Sequence, residues 1–462
     1  MGYNIGFDAD GVIYDTELFQ LSNQVIDFMK KEYNLDVINP DGYGIKDVFG
    51  CSKEIELDFW EKFVIKYSLL YRPRTWTKET IDKLRADGNK VFIITSKACA
   101  LEKSYRGIGV RLLFELGLKL NGIKIDDIVY CDLDNSAESK LQACQKLNIT
   151  IMVEDAVENI NLLSKHMDVI CMNTLNNESL ENDNIIRADD IPDVYVNVQK
   201  IIASRETKSN SLTSMHILSV KEKEEMSLEE KDAYYDSLID YYKSFPFDER
   251  NMSNRESIIN LIANIYSKIF YSKYDPIILG MENIPKEKGF IYVCNHLCDK
   301  DMIFLLCALK GLSSCWHPLV KMEILEQKPG ILFRTAQSAF VKREVLRSRR
   351  SSMKDLFILL SNYFNVLIFP EGTYNKTQNN LKDFQGVSHV YLSQVLRRPI
   401  VNMALTSDYS TNPILRIDEP YIVPRTMSLA DAKEDSFNRL SSLVEKNKKL
   451  SLERRSEWYD NN

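Results

Sequence analysis

Short runs rich in β-branched and aromatic residues alternate along this chain with longer segments whose apolar positions recur at helical spacing. Over residues 1–203 the runs are "YNIGFDA", "KVFIIT", "DIVYCD", "ITIMVED" and "DVICMN". That rhythm predicts a parallel sheet with crossover helices, an α/β fold with a Rossmann-like sheet. Between the first two runs lie "LFQLSNQVIDFMKKEY" and "IELDFWEKFVIKYSLLY", both helical in pattern. The stretch that holds them is roughly 70 residues, more than one crossover needs, and predicts a small helical cap over the carboxyl edge of the sheet. The cap is placed at about residues 16–85 of a first domain spanning 1–203.

From Ser204 to Lys231 the pattern turns polar, with "SRETKSNSLTS" and "KEKEEMSLEEK". Residues 204–250 therefore read as a linker and a helical lead-in. Next, "RESIINLIANIYSKIFYSKY" sets Ile258, Ile259, Ile262, Ile265, Ile269 and Phe270 near helical period. Such a helix fits either packing on its own domain or lying in a membrane interface. A second series, "FIYVCN", "CWHPLVK", "SAFVKR", "NVLIFPEG" and "PIVNMAL", predicts another α/β domain over 251–462.

Composition agrees with more than one domain: 462 residues, 44% hydrophobic and 27% charged, suffice for two or three cores. No apolar window of about 18 residues occurs, so a spanning helix is not expected. The opening "MGYNIGFDADG" reads as a first strand rather than a signal. Nine cysteines at irregular spacing, with Cys171, Cys294 and Cys307 inside apolar runs, fit reduced thiols in a cytoplasm. Charge divides the chain. Residues 251–462 hold 29 Lys+Arg against 22 Asp+Glu, net +7, and the first 250 residues hold 30 against 44, net −14. A mildly basic second half suits anionic lipid, a phosphorylated substrate or an acidic carrier.

The candidate chemistry gathers where strands end. In "DADGVIYDT", Asp8 closes a strand and Gly11 lets the chain turn, so Asp8 and Asp10 can line one cleft. That suits phosphoryl transfer, with Asp8 as nucleophile and metal ligand, Asp10 as general acid/base and ligand, and a magnesium ion neutralising the phosphate. "FIITSK" offers the hydroxyls of Thr95 and Ser96 to a phosphate oxygen, and Lys140 opens a later helix. "IMVEDAVENI" adds Glu154 and Asp155, two hard oxygen ligands, either of which can reach the metal. This ordered set resembles the haloacid-dehalogenase superfamily over the first 200 or so residues, and Asp10 matches its phosphatases rather than its dehalogenases. "VEDAVENI" and the short helical insertion are most similar to its small nucleotidase-like members.

In "NHLCDKD", His296 and Asp301 are five apart. On a regular helix that spacing turns them about 140° apart, so they meet only if His296 precedes the helix and Asp301 lies in its first turn. Asp299 is the competing partner. A carboxylate on one imidazole nitrogen leaves the other to accept a proton. Downstream, "SAFVKRE" supplies Phe340 and Arg343, "FPEGT" supplies Glu371, Gly372 and Thr373, and "RPIVNMAL" supplies Pro399. N-H-x4-D, F-V-x-R, F-P-E-G-T and P-I-V in that order resemble the glycerolipid acyltransferases that acylate lysophosphatidate, over Ile277 to Leu405. Lys321 in "VKMEIL" and the "KPG" before Arg334 also look like that family. The resemblance implies that His296 deprotonates an acceptor hydroxyl, that Asp301 orients it, and that the alkoxide attacks an acyl thioester. It also implies that Arg343, Glu371 and Gly372 hold a glycerol phosphate. Tyr374 stands where the family often has a basic residue, and Gln337 where it often has Gly.

A zinc site through Cys294, His296 and Cys298, with Cys315 and His317, lacks the usual ligand spacing. The run "KREVLRSRRSS" has no interleaved aromatics, so no nucleic-acid partner is expected. The expectation is a bifunctional enzyme of glycerolipid metabolism, with acyl-CoA or acyl carrier protein as donor and peripheral contact with the inner face of a membrane. The alternatives are a phosphatase acting on a soluble phosphate ester or nucleotide, or a non-catalytic phosphatase-like domain.

Overall fold

A computed structural model describes residues 2–460, apart from 41, 43, 71, 72, 98, 207–225, 246, 248, 275, 310–315, 327–332, 334–337, 378 and 407–411. Much of the expected linker, the "KPG" at 328–330, Arg334, Gln337 and Cys315 thus lie outside the described residues. The chain divides into two compact units, Met1–Ser214 with Ser244–Asp248, and Met215–Lys243 with Glu249–Asn462.

The N-terminal unit is built on six strands: β1 (Asn4–Phe7), β2 (Lys90–Thr95), β3 (Asp127–Tyr130), β4 (Ile151–Glu154), β5 (Asp168–Met172) and β6 (Ile185–Ala188). They lie in the order β3-β2-β1-β4-β5-β6 with every neighbouring pair parallel. Ile5, Phe7, Val91, Ile93, Ile151 and Val153 are fully buried in one core face, as expected of a sheet covered by helices on both sides. The strand order reverses between β1 and β4, the point beyond whose carboxyl ends sheets of this kind form a ligand crevice. Helices Thr16–Gln20, Asn23–Tyr33, Gly44–Phe49 and Lys53–Leu70 form the cap. Helix Thr77–Ala86 buries Ile81 and Leu84 with the sheet core, so it belongs to the layer flanking the strands.

The C-terminal unit has seven strands: β7 (Ile277–Leu279), β8 (Ile291–Cys294), β9 (Trp316–Lys321), β10 (Ala339–Val341), β11 (Asn365–Ile368), β12 (Ile400–Leu405) and β13 (Ile414–Ile417). The order is β10-β9-β11-β8-β12-β13-β7, parallel except where β13 runs against β12. The α/β class expected from the sequence is met in both units. Strands β6, β7 and β13 were not anticipated, because "IIRA", "IIL" and "ILRI" are too short to carry a period.

Helix Glu249–Tyr274 presents two faces. Ile259 is buried and packs with Ile262 and Leu306, while Ile258, Leu261, Ile265 and Tyr266 stand exposed. Among the described residues no helix is long and apolar enough to cross a membrane.

Candidate active sites

In the N-terminal unit the crevice receives Asp8 from the end of β1 and Glu154 and Asp155 from the end of β4. All three carboxylates are buried and offer oxygens within 4.8 Å of one another. Gly11, at φ +86°, lets the intervening loop lie against them, because a Cβ there would come within 2.1 Å of Asp155 Oδ2. Helix Ser136–Lys146 carries Lys140 into the cluster, where Nζ pairs with Asp8 Oδ2 at 2.9 Å and Glu154 Oε2 at 2.7 Å. The other Glu154 oxygen accepts the backbone amides of Asp155 and Ala156, both at 3.1 Å. Burial pushes the Asp8 carboxyl up to about 7, with Lys140 pulling it back and Glu154 adding to the rise. Burial, then Glu154 and Asp8, also raises Asp155. Three acids against one ammonium leave uncompensated negative charge among hard oxygen donors, a set that fits a divalent cation.

Thr95 is buried at the end of β2, and Ser96 Oγ lies 2.8 Å from Ser136 Oγ. The Asp10 carboxylate lies outside the buried trio. Lys97 Nζ donates to its two oxygens at 2.9 and 3.1 Å, and Tyr67 Oη donates to one of them at 2.6 Å. Lys97 is itself buried, over the rings of Tyr67 at 4.6 Å and Phe114 at 5.1 Å. Sequence reasoning missed both partners. Lys97 directly follows Ser96 and could have been noticed, whereas Tyr67 arrives from the cap. Arg74 was missed as well. Its guanidinium pairs with Asp15 at 2.6 Å and donates to the carbonyls of Val12 and Gly11 at 2.9 and 3.0 Å, which fixes the loop that bears Asp10.

The C-terminal site forms beyond the adjacent parallel strands β8 and β11, from which His296 and Glu371 follow. His296 precedes helix Lys300–Ala308 and Asp301 lies in its first turn, the one arrangement in which they can meet. His296 Nδ1 is 2.9 Å from Asp301 Oδ2. That oxygen also accepts the amides of Leu297 at 2.5 Å and Cys298 at 2.9 Å. A carboxylate oxygen already taking two donors is an acceptor, so Nδ1 carries the proton and Nε2 keeps its lone pair. The imidazole stacks on Phe369, with centroids 4.1 Å apart and planes at 22°.

Glu371 is fully buried, and its oxygens accept the amides of His296 at 2.9 Å and Lys382 at 2.7 Å. Burial raises its carboxyl, and the two amides hold it back. Its side chain thus braces the loop of His296. Gly372, at φ +69°, packs under Arg343, where a Cβ would meet the guanidinium at 2.5 to 2.7 Å. Burial pulls the Arg343 guanidinium below its ordinary value, and it makes no hydrogen bond or ion pair with another described residue. Thr373, next to Gly372 in the chain, is half-buried. Lys321 is exposed at the end of β9 and Phe340 half-buried in β10, and neither hydrogen-bonds to the His296–Asp301 pair among the described residues. Asn295 clamps the loop to β12 by exchanging hydrogen bonds with Leu405 at 2.7 and 3.0 Å.

Residues 276–406 match the Acyltransferase family model. The matched stretch includes His296, Arg343 and Glu371. Among solved structures, the chain is similar to the 1-acyl-sn-glycerophosphate (LPA) acyltransferase PlsC from Thermotoga maritima. The identity is 20%, over 46% of this chain and 89% of that one, with a TM-score of 0.35. It is also similar to a predicted phosphatase from Clostridium acetobutylicum, at 15% identity over 43% and 99% of the two chains and a TM-score of 0.33. A third is a putative beta-phosphoglucomutase from Thermotoga maritima, at 16% identity over 43% and 99%, with a TM-score of 0.30. No curated protein matches the chain in sequence.

Proposed function

We propose that the chain is a bifunctional enzyme of glycerolipid metabolism. In this reading the acyltransferase domain moves an acyl group from an acyl thioester to a lysophosphatidate-like acceptor, and the N-terminal unit hydrolyses a phosphate monoester with magnesium. The observation that carries the acyl-transfer half is the 2.9 Å bond between His296 Nδ1 and Asp301. His296 Nε2 takes the acceptor's hydroxyl proton, the alkoxide attacks the thioester carbonyl, the C–S bond breaks, and the thiolate leaves with that proton. Arg343 grips the acceptor phosphate, since a guanidinium matches two phosphate oxygens at once.

In the N-terminal unit, Asp8 attacks phosphorus and Asp10 protonates the departing alcohol; Asp10 then deprotonates the water that releases phosphate. Asp8 and Asp155 would hold the magnesium, which supplies neutralising charge to the phosphate. Glu154 secures Lys140 with one oxygen and the amides of Asp155 and Ala156 with the other. The economical link between the two activities is consecutive steps, the phosphatase acting on the product of acylation.

The test is Arg343→Ala in the full chain, assayed with acyl-CoA and a lysophosphatidate. The KM for the acceptor is expected to rise about tenfold or more, the scale of a lost charge-assisted bond to phosphate, with the thioester KM little changed. Equal loss for both substrates would count against the phosphate-gripping role. A further expectation concerns membranes. The exposed Ile258, Leu261, Ile265 and Tyr266 lie on a domain with net positive charge, which supports peripheral docking on anionic lipid. Flotation with anionic vesicles should carry the protein upward at low salt, and high salt should release part of it. Flotation that survives both high salt and alkaline carbonate would refute a peripheral attachment.

A further inference from the structure

Three carboxylates lie around the segment that bears His296, and each is held by a donor. Asp301 takes the amides of Leu297 and Cys298 besides the ring nitrogen, and Glu371 takes the amides of His296 and Lys382. Asp299, three residues from His296 in sequence, takes the hydroxyl of Tyr374. The third restraint differs in kind. Asp299 occupies the N-cap of helix Lys300–Ala308, where an aspartate ordinarily accepts an amide of the first turn, yet its side chain makes no capping bond. It is engaged instead by a residue from the loop that follows β11. That residue also sets its ring against the imidazole, with centroids 4.5 Å apart and planes at 65°. Burial, and then the Asp299 carboxylate, raise the Tyr374 hydroxyl above its ordinary range, so it remains a donor.

The geometry points to Tyr374 as a positioning residue of the acyl-transfer reaction: its hydroxyl holds the Asp299 carboxylate off His296, so that Asp301 alone partners the imidazole and Nε2 stays open to the acceptor. This rests on the acyl-transfer reading of the domain. The physical reason is competition. A carboxylate free to turn on the ring would pair with the imidazolium, favour that charged form, and occupy the nitrogen that must take the proton. Asp301 stays on Nδ1, because it is fully buried and fixed by two backbone amides. Asp299 is exposed, and among the described residues no backbone amide anchors its side chain, so a side-chain donor is what restrains it.

The test is Tyr374→Phe in the full chain, which keeps the ring on His296 and removes only the hydroxyl. Acyl transfer is expected to lose about tenfold in kcat, the scale of coupling between contacting side chains, with the KM for acyl-CoA little changed. Neutralising the released acid should undo this. The double variant Tyr374→Phe/Asp299→Asn is expected to return to within about threefold of Asp299→Asn alone, because the competing charge is then absent from both. A Tyr374→Phe enzyme as fast as the unaltered protein would overturn the inference. So would a double variant as slow as Tyr374→Phe alone, which would mean the tyrosine merely braces the loop. Absence of acyl transfer in the unaltered protein would overturn the acyl-transfer reading together with this one.

Discussion

His296→Ala is expected to lower acyl transfer by roughly 10²- to 10⁴-fold, the range in which a lost general base is felt. The imidazole is the base proposed for acyl transfer, and its Nδ1 lies 2.9 Å from Asp301. Alanine removes that base but keeps the backbone amide that His296 gives to Glu371, so the loop keeps its anchor. The His296 side chain is 16% exposed, so water can enter the space left behind and the stability cost should be small. Phosphate release from a small generic ester should be unchanged, because its residues belong to the other unit. The assay is thioester consumption coupled to detection of the ester product. Retention of acyl transfer in this variant would require the acyltransferase assignment to be abandoned.

Asp8→Asn should abolish phosphate release, by about 10⁴-fold or more on the scale of enzymatic nucleophiles, and leave acyl transfer near normal. The substitution is isosteric, and Lys140 keeps its 2.7 Å pair with Glu154. The fold should not suffer. Burial and the neighbouring Glu154 lift the Asp8 carboxyl to about 7, so its charged form is disfavoured in the metal-free protein. The sign follows: a raised acid costs stability as pH rises from its unfolded value of about 4 toward 7, and a neutral amide escapes that cost. Thermal unfolding without metal at neutral pH should therefore show a Tm for Asp8→Asn no lower than that of the unaltered protein. Chelation of divalent cations should stop phosphate release in the unaltered protein and spare acyl transfer. Phosphate release that persists in Asp8→Asn would rule out Asp8 as nucleophile.

Much of this architecture is legible in the sequence because it is written in local pattern. "KVFIIT" and "NVLI" become β2 and β11, since apolar runs of that length between turn residues have few other ways to be buried. Asp8 and His296 could be singled out because each follows such a run, and in parallel sheets the residue after a strand faces the ligand crevice. The five-residue spacing of His296 and Asp301 even dictated where the helix had to start.

What the sequence could not decide are contacts between segments far apart in the chain. Tyr67 reaches Asp10 across 57 positions and Tyr374 reaches Asp299 across 75. No periodicity encodes either pair, because which side chains meet depends on how the cap and the loops fold back over the strands. The same holds for Glu154 and Asp155, neighbours with identical local signals: only the tertiary structure shows both Glu154 oxygens taken by Lys140 and backbone amides. By itself the sequence determined two α/β units and the strand ends that carry their acids and bases, since these depend on local burial and turn chemistry. Only the tertiary structure decided which donor restrains each of those groups, since a buried or crowded carboxylate takes whichever donor the packing brings within hydrogen-bond reach.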